Sequence, residues 1–204
     1  MKTKHAIRRR KKKPSNLTLI ILSILAIVLI GDVLGAMLYL RQSPATREGL
    51  ITYVMTGESQ TFFQIFWQQF VTHLTLWTLG FTIVGNGINV LFLFMRGMSA
   101  GFNLAFLIDQ GVSTATVILW FVHYFLVLVS TMFTVYFSLR FAYIVIKSVL
   151  LKKYKLVKKQ AKLYVMQLVF VLVLVLFIAV ASALITPFTW GQLGDVEQIA
   201  LLVR

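Results

Sequence analysis

The chain has 204 residues, 59% of them hydrophobic, a mean hydropathy of +0.86 and a net charge of +14. Soluble domains are nearer half apolar, so this composition excludes an ordinary soluble fold and points to one integral membrane domain, with no polar stretch long enough for a second unit. The charge does not point to nucleic acid: eight basic residues lie in the first 13 positions and eight more between Arg140 and Lys162, beside apolar runs, as the positive-inside rule places them.

Residues 1–16 read as a basic cytosolic arm. Such an arm anchors topology and attracts anionic lipid headgroups, by about 1 kcal/mol per basic residue near the surface. The run Leu17–Leu40 is longer than a signal-peptide core and no small-x-small site follows it, so it reads as an uncleaved first span. Gly31 and Gly35 give that span a small-xxx-small packing face. Asp32, the one acid inside a span, lies about 15 residues in, roughly 22 Å along a helix. It is either a functional carboxylate or a hydrogen-bonding group near the outer interface.

Residues 41–60 read as an outside loop with a short interfacial helix, Leu50, Ile51, Val54 and Met55 sharing one face. Phe62, Phe63, Phe66, Trp67 and Phe70 form an aromatic belt. It leads into a second span over about 72–95, with His73 as an interfacial polar group near its outer end. Asn86 and Asn89, three residues apart, share a helix face. They either bond across helices or line a polar path. Arg96 and Gly97 read as the cytosolic turn of a hairpin, and glycines at 80, 85, 87, 97 and 101 let helices approach closely.

The third span, 98–108, carries Asn103 and is short enough for a re-entrant half-helix. A full crossing leaves 17 of 20 basic residues inside, so the charge rule favours a crossing. The fourth span, about 116–146, exceeds the ~20 residues a bilayer needs and carries His123, Ser130, Thr131, Thr134 and Ser138. No second ligand stands three or four residues from His123, so it reads as a packing group rather than a metal ligand. Residues 147–162 form either a basic amphipathic surface helix or an irregular loop. The fifth span, 164–185, ends at Thr186-Pro187. The tail 188–204 lies outside, with Asp195 capping a short helix.

The expected fold is therefore all-α: an integral membrane helical bundle of about five transmembrane helices, N-terminus inside and C-terminus outside. It divides into a cytosolic arm (1–16), a transmembrane domain (17–187) and an extracytoplasmic tail (188–204). Gly97-Met98-Ser99-Ala100-Gly101 spells G-x-S-x-G, but a nucleophile elbow needs a strand–turn–helix context, and His123 is expected at the opposite membrane face. No paired carboxylates, phosphate loop or metal cluster is evident. The expectation is a non-enzyme without cofactor or metal. The candidate polar residues are Asp32, Asn86, Asn89, Asn103 and His123, with Arg96 and Gly97 at the turn.

Leu79-Gly80, Ile83-Val84-Gly85, the aliphatic run Val90–Met95, Arg96-Gly97, Gly101-Phe102 and Phe106-Leu107 occur in an order and spacing that resembles the stage II sporulation protein M family of bacterial membrane proteins. Phe137-Ser138-Leu139-Arg140, Ala181-Ser182 and Pro187 extend the likeness over about residues 17–190. Gly85-Asn86-Gly87 departs from the Leu-Pro that often follows the family's glycine, and Val122-His123 from a Pro-His or Pro-Gln. The resemblance implies a non-enzymatic scaffold in the bacterial cell membrane. It would recruit or anchor peptidoglycan-remodelling proteins during forespore engulfment, in a hetero-complex with membrane or cell-wall proteins. The alternative is a membrane subunit of a transport or export system, such as bacteriocin maturation, secretion or immunity. In that case the five polar residues should converge on one cavity.

Overall fold

The computed structural model describes residues 16–55, 61–152 and 154–202, with the backbone alone at 16–17, 48, 51–55, 154–156, 158–159 and 185–202. All regular structure among them is helical: α1 (Asn16–Leu40), α2 (Pro44–Met55), α3 (Phe62–Leu79), α4 (Ile83–Asp109), α5 (Thr114–Leu150) and α6 (Tyr154–Leu202). Four are long and apolar enough to cross a membrane, over Thr18–Leu40, Ile83–Asp109, Thr114–Leu150 and Gln160–Leu184. Their outer surfaces are apolar: Val33 is 60% exposed, Leu91 59% and Phe177 59%. Water would not leave such surfaces uncovered, and lipid covers them at no cost. This is a multi-pass membrane protein.

Pairs of contacting residues set the helix directions. Gly97 meets Val28, Gly101 meets Asp32 and Asp109 meets Tyr39, so α1 and α4 run parallel. Asn89 meets Ser138 and Tyr124 meets Arg96, so α5 runs against α4. His73 meets Ser130 and Leu76 meets Ser138, so α3 runs with α5. Ser138 meets Tyr164 and His123 meets Ser182, so α6 returns against α5. Apolar packing lies in one cluster around Ile24, Val28, Leu93 and Val135 and another around Tyr39, Phe106, Leu107 and Val112.

The expected turn at Arg96-Gly97 is not there. Both residues lie inside α4, an unbroken helix of 27 residues. The chain reverses instead at Gly80–Thr82, between α3 and α4. Thr82 caps α4, its hydroxyl accepting from the Gly85 amide at 2.9 Å. The Asn86 side chain folds back to donate to the carbonyls of Thr82 (2.8 Å) and Gly80 (3.2 Å). Cap and closure together satisfy backbone groups that a reversal leaves orphaned. The expected second span, about 72–95, is thereby split, and the short third span gains about four helical turns at its start. A re-entrant half-helix is excluded.

Other boundaries move too. α5 starts at a Ser113 cap and reaches Leu150, 37 residues in all. α6 begins within the expected cytosolic segment, after a break at Lys152 (φ 53). It continues through Pro187 to Leu202, so the expected stop at Thr186-Pro187 and the separate tail helix give way to one helix. The expected interfacial helix is present as α2, although the side chains at 51–55 lie outside the described residues, as does the basic arm before residue 16. α3 falls short of the membrane criterion met by the other four, because three glutamines, His73 and three threonines interrupt its apolar residues.

Candidate functional site

The closest helix approach joins α1 and α4. A Cβ on Gly31 would stand 2.5 Å from the Phe94 carbonyl, and one on Gly97 2.5 Å from the Val28 carbonyl. A Cβ on Gly35 would collide with the Met98 carbonyl and one on Gly101 with the Asp32 carbonyl. The two glycine pairs, each four apart, thus interlock backbone to backbone, the geometry that small-xxx-small faces permit. Ser99, at the centre of the G-x-S-x-G sequence, sits on the exposed face of this straight helix. There is no elbow to aim it.

A second polar meeting point lies at the C-terminal end of α3. Asn89, fully buried, donates from Nδ2 to the Leu76 carbonyl at 2.8 Å and to Ser138 Oγ at 3.2 Å. Ser138 Oγ donates to the same Leu76 carbonyl at 3.3 Å and lies 2.9 Å from the Tyr164 hydroxyl. The Tyr164 hydroxyl donates to the Trp77 carbonyl at 2.8 Å. The last-turn carbonyls of Leu76 and Trp77, which otherwise share only the Gly80 amide, are therefore also bonded by side chains from α4, α5 and α6. The Tyr164 ring stacks between Trp77 at 4.9 Å and Phe141 at 4.4 Å. Gly80 is required here: a Cβ on it would collide with Ser138 Oγ and the Tyr164 hydroxyl.

The remaining sequence candidates are scattered. His123 Nδ1 lies 3.0 Å from Ser182 Oγ, an α5–α6 contact. Asn86 serves the turn, as above. Asn103 is exposed. Asp32 lines a cavity of about 500 Å³ between α1, α4 and α5. Arg96 is half-buried midway along α4, its guanidinium 5.3 Å from the centre of the Phe92 ring, and its carbonyl accepts from the Tyr124 hydroxyl. His123, the neighbour of Tyr124, is thus at the level of Arg96 rather than a membrane thickness away. The separation of Ser99 from His123 expected from the sequence does not hold. The helix around Ser99 is continuous, and His123 Nδ1 is engaged by Ser182 Oγ.

His73 was expected at an interface and is fully buried. Its Nδ1 donates to the Gln69 carbonyl at 2.8 Å, and its Nε2 lies 2.9 Å from Ser130 Oγ. Tyr164 carries no signal of its own in the sequence, and Ser182 stands out only through the family resemblance. The spacing of Ser130, Thr134 and Ser138, four apart, does mark one polar face of α5, and that face is the one turned inward.

At the far end of α4, the Tyr39 hydroxyl donates to Asp109 Oδ2 at 2.6 Å. Arg47 on α2 donates to the same oxygen at 3.2 Å and to the Leu40 carbonyl at 2.9 Å, its guanidinium 5.0 Å from the centre of the Tyr39 ring. This cluster ties α2 to the ends of α1 and α4. Among the described residues, no three His, Asp or Glu side chains gather in one place. No family model, curated protein or solved structure matches the chain.

Proposed function

We propose that the protein is a non-enzymatic membrane scaffold of the kind represented by the stage II sporulation protein M family, holding cell-wall-remodelling proteins at a bacterial membrane during forespore engulfment. In this reading α3 is a fifth crossing beside the four apolar helices. The N-terminus is cytosolic, the Gly80–Thr82 turn and the Lys152 break face the cytosol, and α2 and the Gln110–Ser113 connection face outward.

One observation carries the proposal: a set of interior polar side chains, Asn89, Ser138, Tyr164, His73 and His123, bonds one helix to another. Asn89, Ser138 and Tyr164 bond the end of α3, His73 bonds Ser130, and His123 meets Ser182. Interhelical bonds of this kind specify one assembly. A transport or export subunit, the second reading, needs the polar set on one path. Of Asp32, Asn86, Asn89, Asn103 and His123, only Asp32 lines the described cavity. Placing a photo-crosslinking amino acid at Ser113 in living cells tests the assignment. Capture of peptidoglycan hydrolases supports the scaffold, and capture of an ATPase-linked permease alone overturns it.

A further inference from the structure

The cavity beside Asp32 has a shape and a charge that go beyond a scaffold's needs. Its floor is α4 at Ala100, Gly101 and Leu104. Its rims are Leu29 and Val33 of α1 and Phe121 and Phe125 of α5, all exposed, so it opens sideways toward lipid. The lining on α1 runs from Leu25 to Ala36, about 16 Å at 1.5 Å per residue. A cavity of about 500 Å³ over that length, apolar but for Asp32, has room for an alkyl chain lying along it.

The slot holds a single charged group. Asp32 Oδ1 is buried with no hydrogen-bond partner. Among the described residues the one ion pair is Arg47–Asp109, so none of their cations pairs with the Asp32 carboxylate. An uncompensated carboxylate in apolar surroundings costs several kcal/mol. The facing wall is aromatic, with Trp120 and Tyr124 stacked at 5.3 Å. Ring faces attract cations, ammonium groups above all. We infer that this slot binds an amphiphilic ammonium compound, its single alkyl chain lying along the slot and its charged nitrogen at Asp32 against the Trp120–Tyr124 wall. The nitrogen supplies the counter-charge that Asp32 lacks, and the chain fills space that α1 and α5 leave open above Gly101. The same ammonium chemistry is offered by an amine-bearing lipid headgroup and by a free amphiphile. The site does not depend on the scaffold reading.

The test uses the purified full chain in nanodiscs of digalactosyldiacylglycerol, a neutral lipid with no ammonium group, with radiolabelled decyltrimethylammonium as probe and decanol as the neutral chain of equal length. Saturable binding of the ammonium is expected. Asp32→Asn should weaken it about tenfold or more while leaving decanol uptake unchanged, since only the charge pairing is lost. Leu29→Trp, a change at an exposed rim position, should block both probes without unfolding the bundle. Native mass spectrometry after doping with phosphatidylethanolamine separates the sources. Retention of that lipid by wild type and not by Asp32→Asn assigns the headgroup, and probe binding without lipid enrichment assigns a free amphiphile. Ammonium binding that Asp32→Asn leaves intact, no saturable binding at all, or a slot filled by a co-purifying transmembrane subunit overturns the inference.

Discussion

Gly101 lies so close to Asp32 that a Cβ on the glycine would collide with the carbonyl of the aspartate. Backbone here touches backbone, so a clash cannot be relieved by turning a side chain. Gly35 stands in the same relation to Met98.

Gly101→Leu and Gly35→Leu should therefore each push α1 off α4. Overpacking costs about 1–3 kcal/mol where side chains adjust, and a backbone collision belongs at the upper end of that range. Gly87, with nothing within 4 Å of its would-be Cβ, is the control. Gly87→Ala should leave stability unchanged or raise it by up to about 1 kcal/mol through helix propensity. Thermal unfolding of the three variants in detergent checks this, and equal melting of Gly101→Leu and Gly87→Ala would refute the interlock.

Half of the interlock was legible in the sequence: Gly31/Gly35 carry the spacing that close packing needs, while Gly97 of its partner pair read as part of a turn. The hairpin was not. Arg96 beside Gly97 has the composition of a turn, and only tertiary packing tells a glycine that ends a helix from one that seats a neighbour. The true reversal at Gly80–Thr82 was masked by the apolar residues on either side, Leu79, Phe81 and Ile83. The polar knot was half legible. Asn86 and Asn89 declared a face, but three of their four acceptors are backbone carbonyls of Leu76, Gly80 and Thr82, and every residue has a carbonyl.

That knot gives a quantitative prediction. Asn89→Leu removes two donor contacts, to the Leu76 carbonyl and to Ser138 Oγ, and should cost about 1–3 kcal/mol. Ser138→Ala removes a shared partner. If the two side chains work through each other, a double-mutant cycle should return a coupling of about 0.6–1.7 kcal/mol, the range found between membrane helices. Strictly additive losses would mean that Asn89 and Ser138 hold the Leu76 carbonyl independently.

At the outer cluster the aromatic body of Tyr39 should outweigh its polar contacts. Tyr39 is fully buried against Phe102 and Phe106, with ring centres 5.3 and 6.0 Å away, so Tyr39→Ala should cost about 3 kcal/mol or more. Tyr39→Phe loses one hydrogen bond, about 0.5–1.5 kcal/mol. The Arg47–Asp109 pair is 27% and 39% exposed, so Asp109→Asn should cost under about 1 kcal/mol for that ion pair, less at high salt. Amide hydrogen exchange in α2 reports all three. A larger loosening by Asp109→Asn than by Tyr39→Ala would reverse this ranking.

Because the chain has no cysteine, single cysteines can decide the number of crossings. Phe63, Ile83, Thr114 and Leu150 are exposed positions near helix ends. If α3 crosses, Phe63→Cys and Thr114→Cys should label with a membrane-impermeant maleimide from outside the cell, and Ile83→Cys and Leu150→Cys only after permeabilisation. The parallel course of α1 and α4 demands that both helices begin on the same side. Arg96→Cys should label slowly from either side, since it sits midway along α4 with its carbonyl bound by Tyr124. Labelling of Phe63→Cys and Ile83→Cys from the same side would keep α3 out of the membrane, leave four crossings, and require α1 and α4 to be reassigned. The 18 residues of α3 fall at the short end of the roughly 17–25 that crossing helices use, about 27 Å against a hydrocarbon core of about 30 Å. Its buried Gln69 and His73 face the bundle rather than lipid, which is the arrangement that lets a helix with polar residues enter a bilayer.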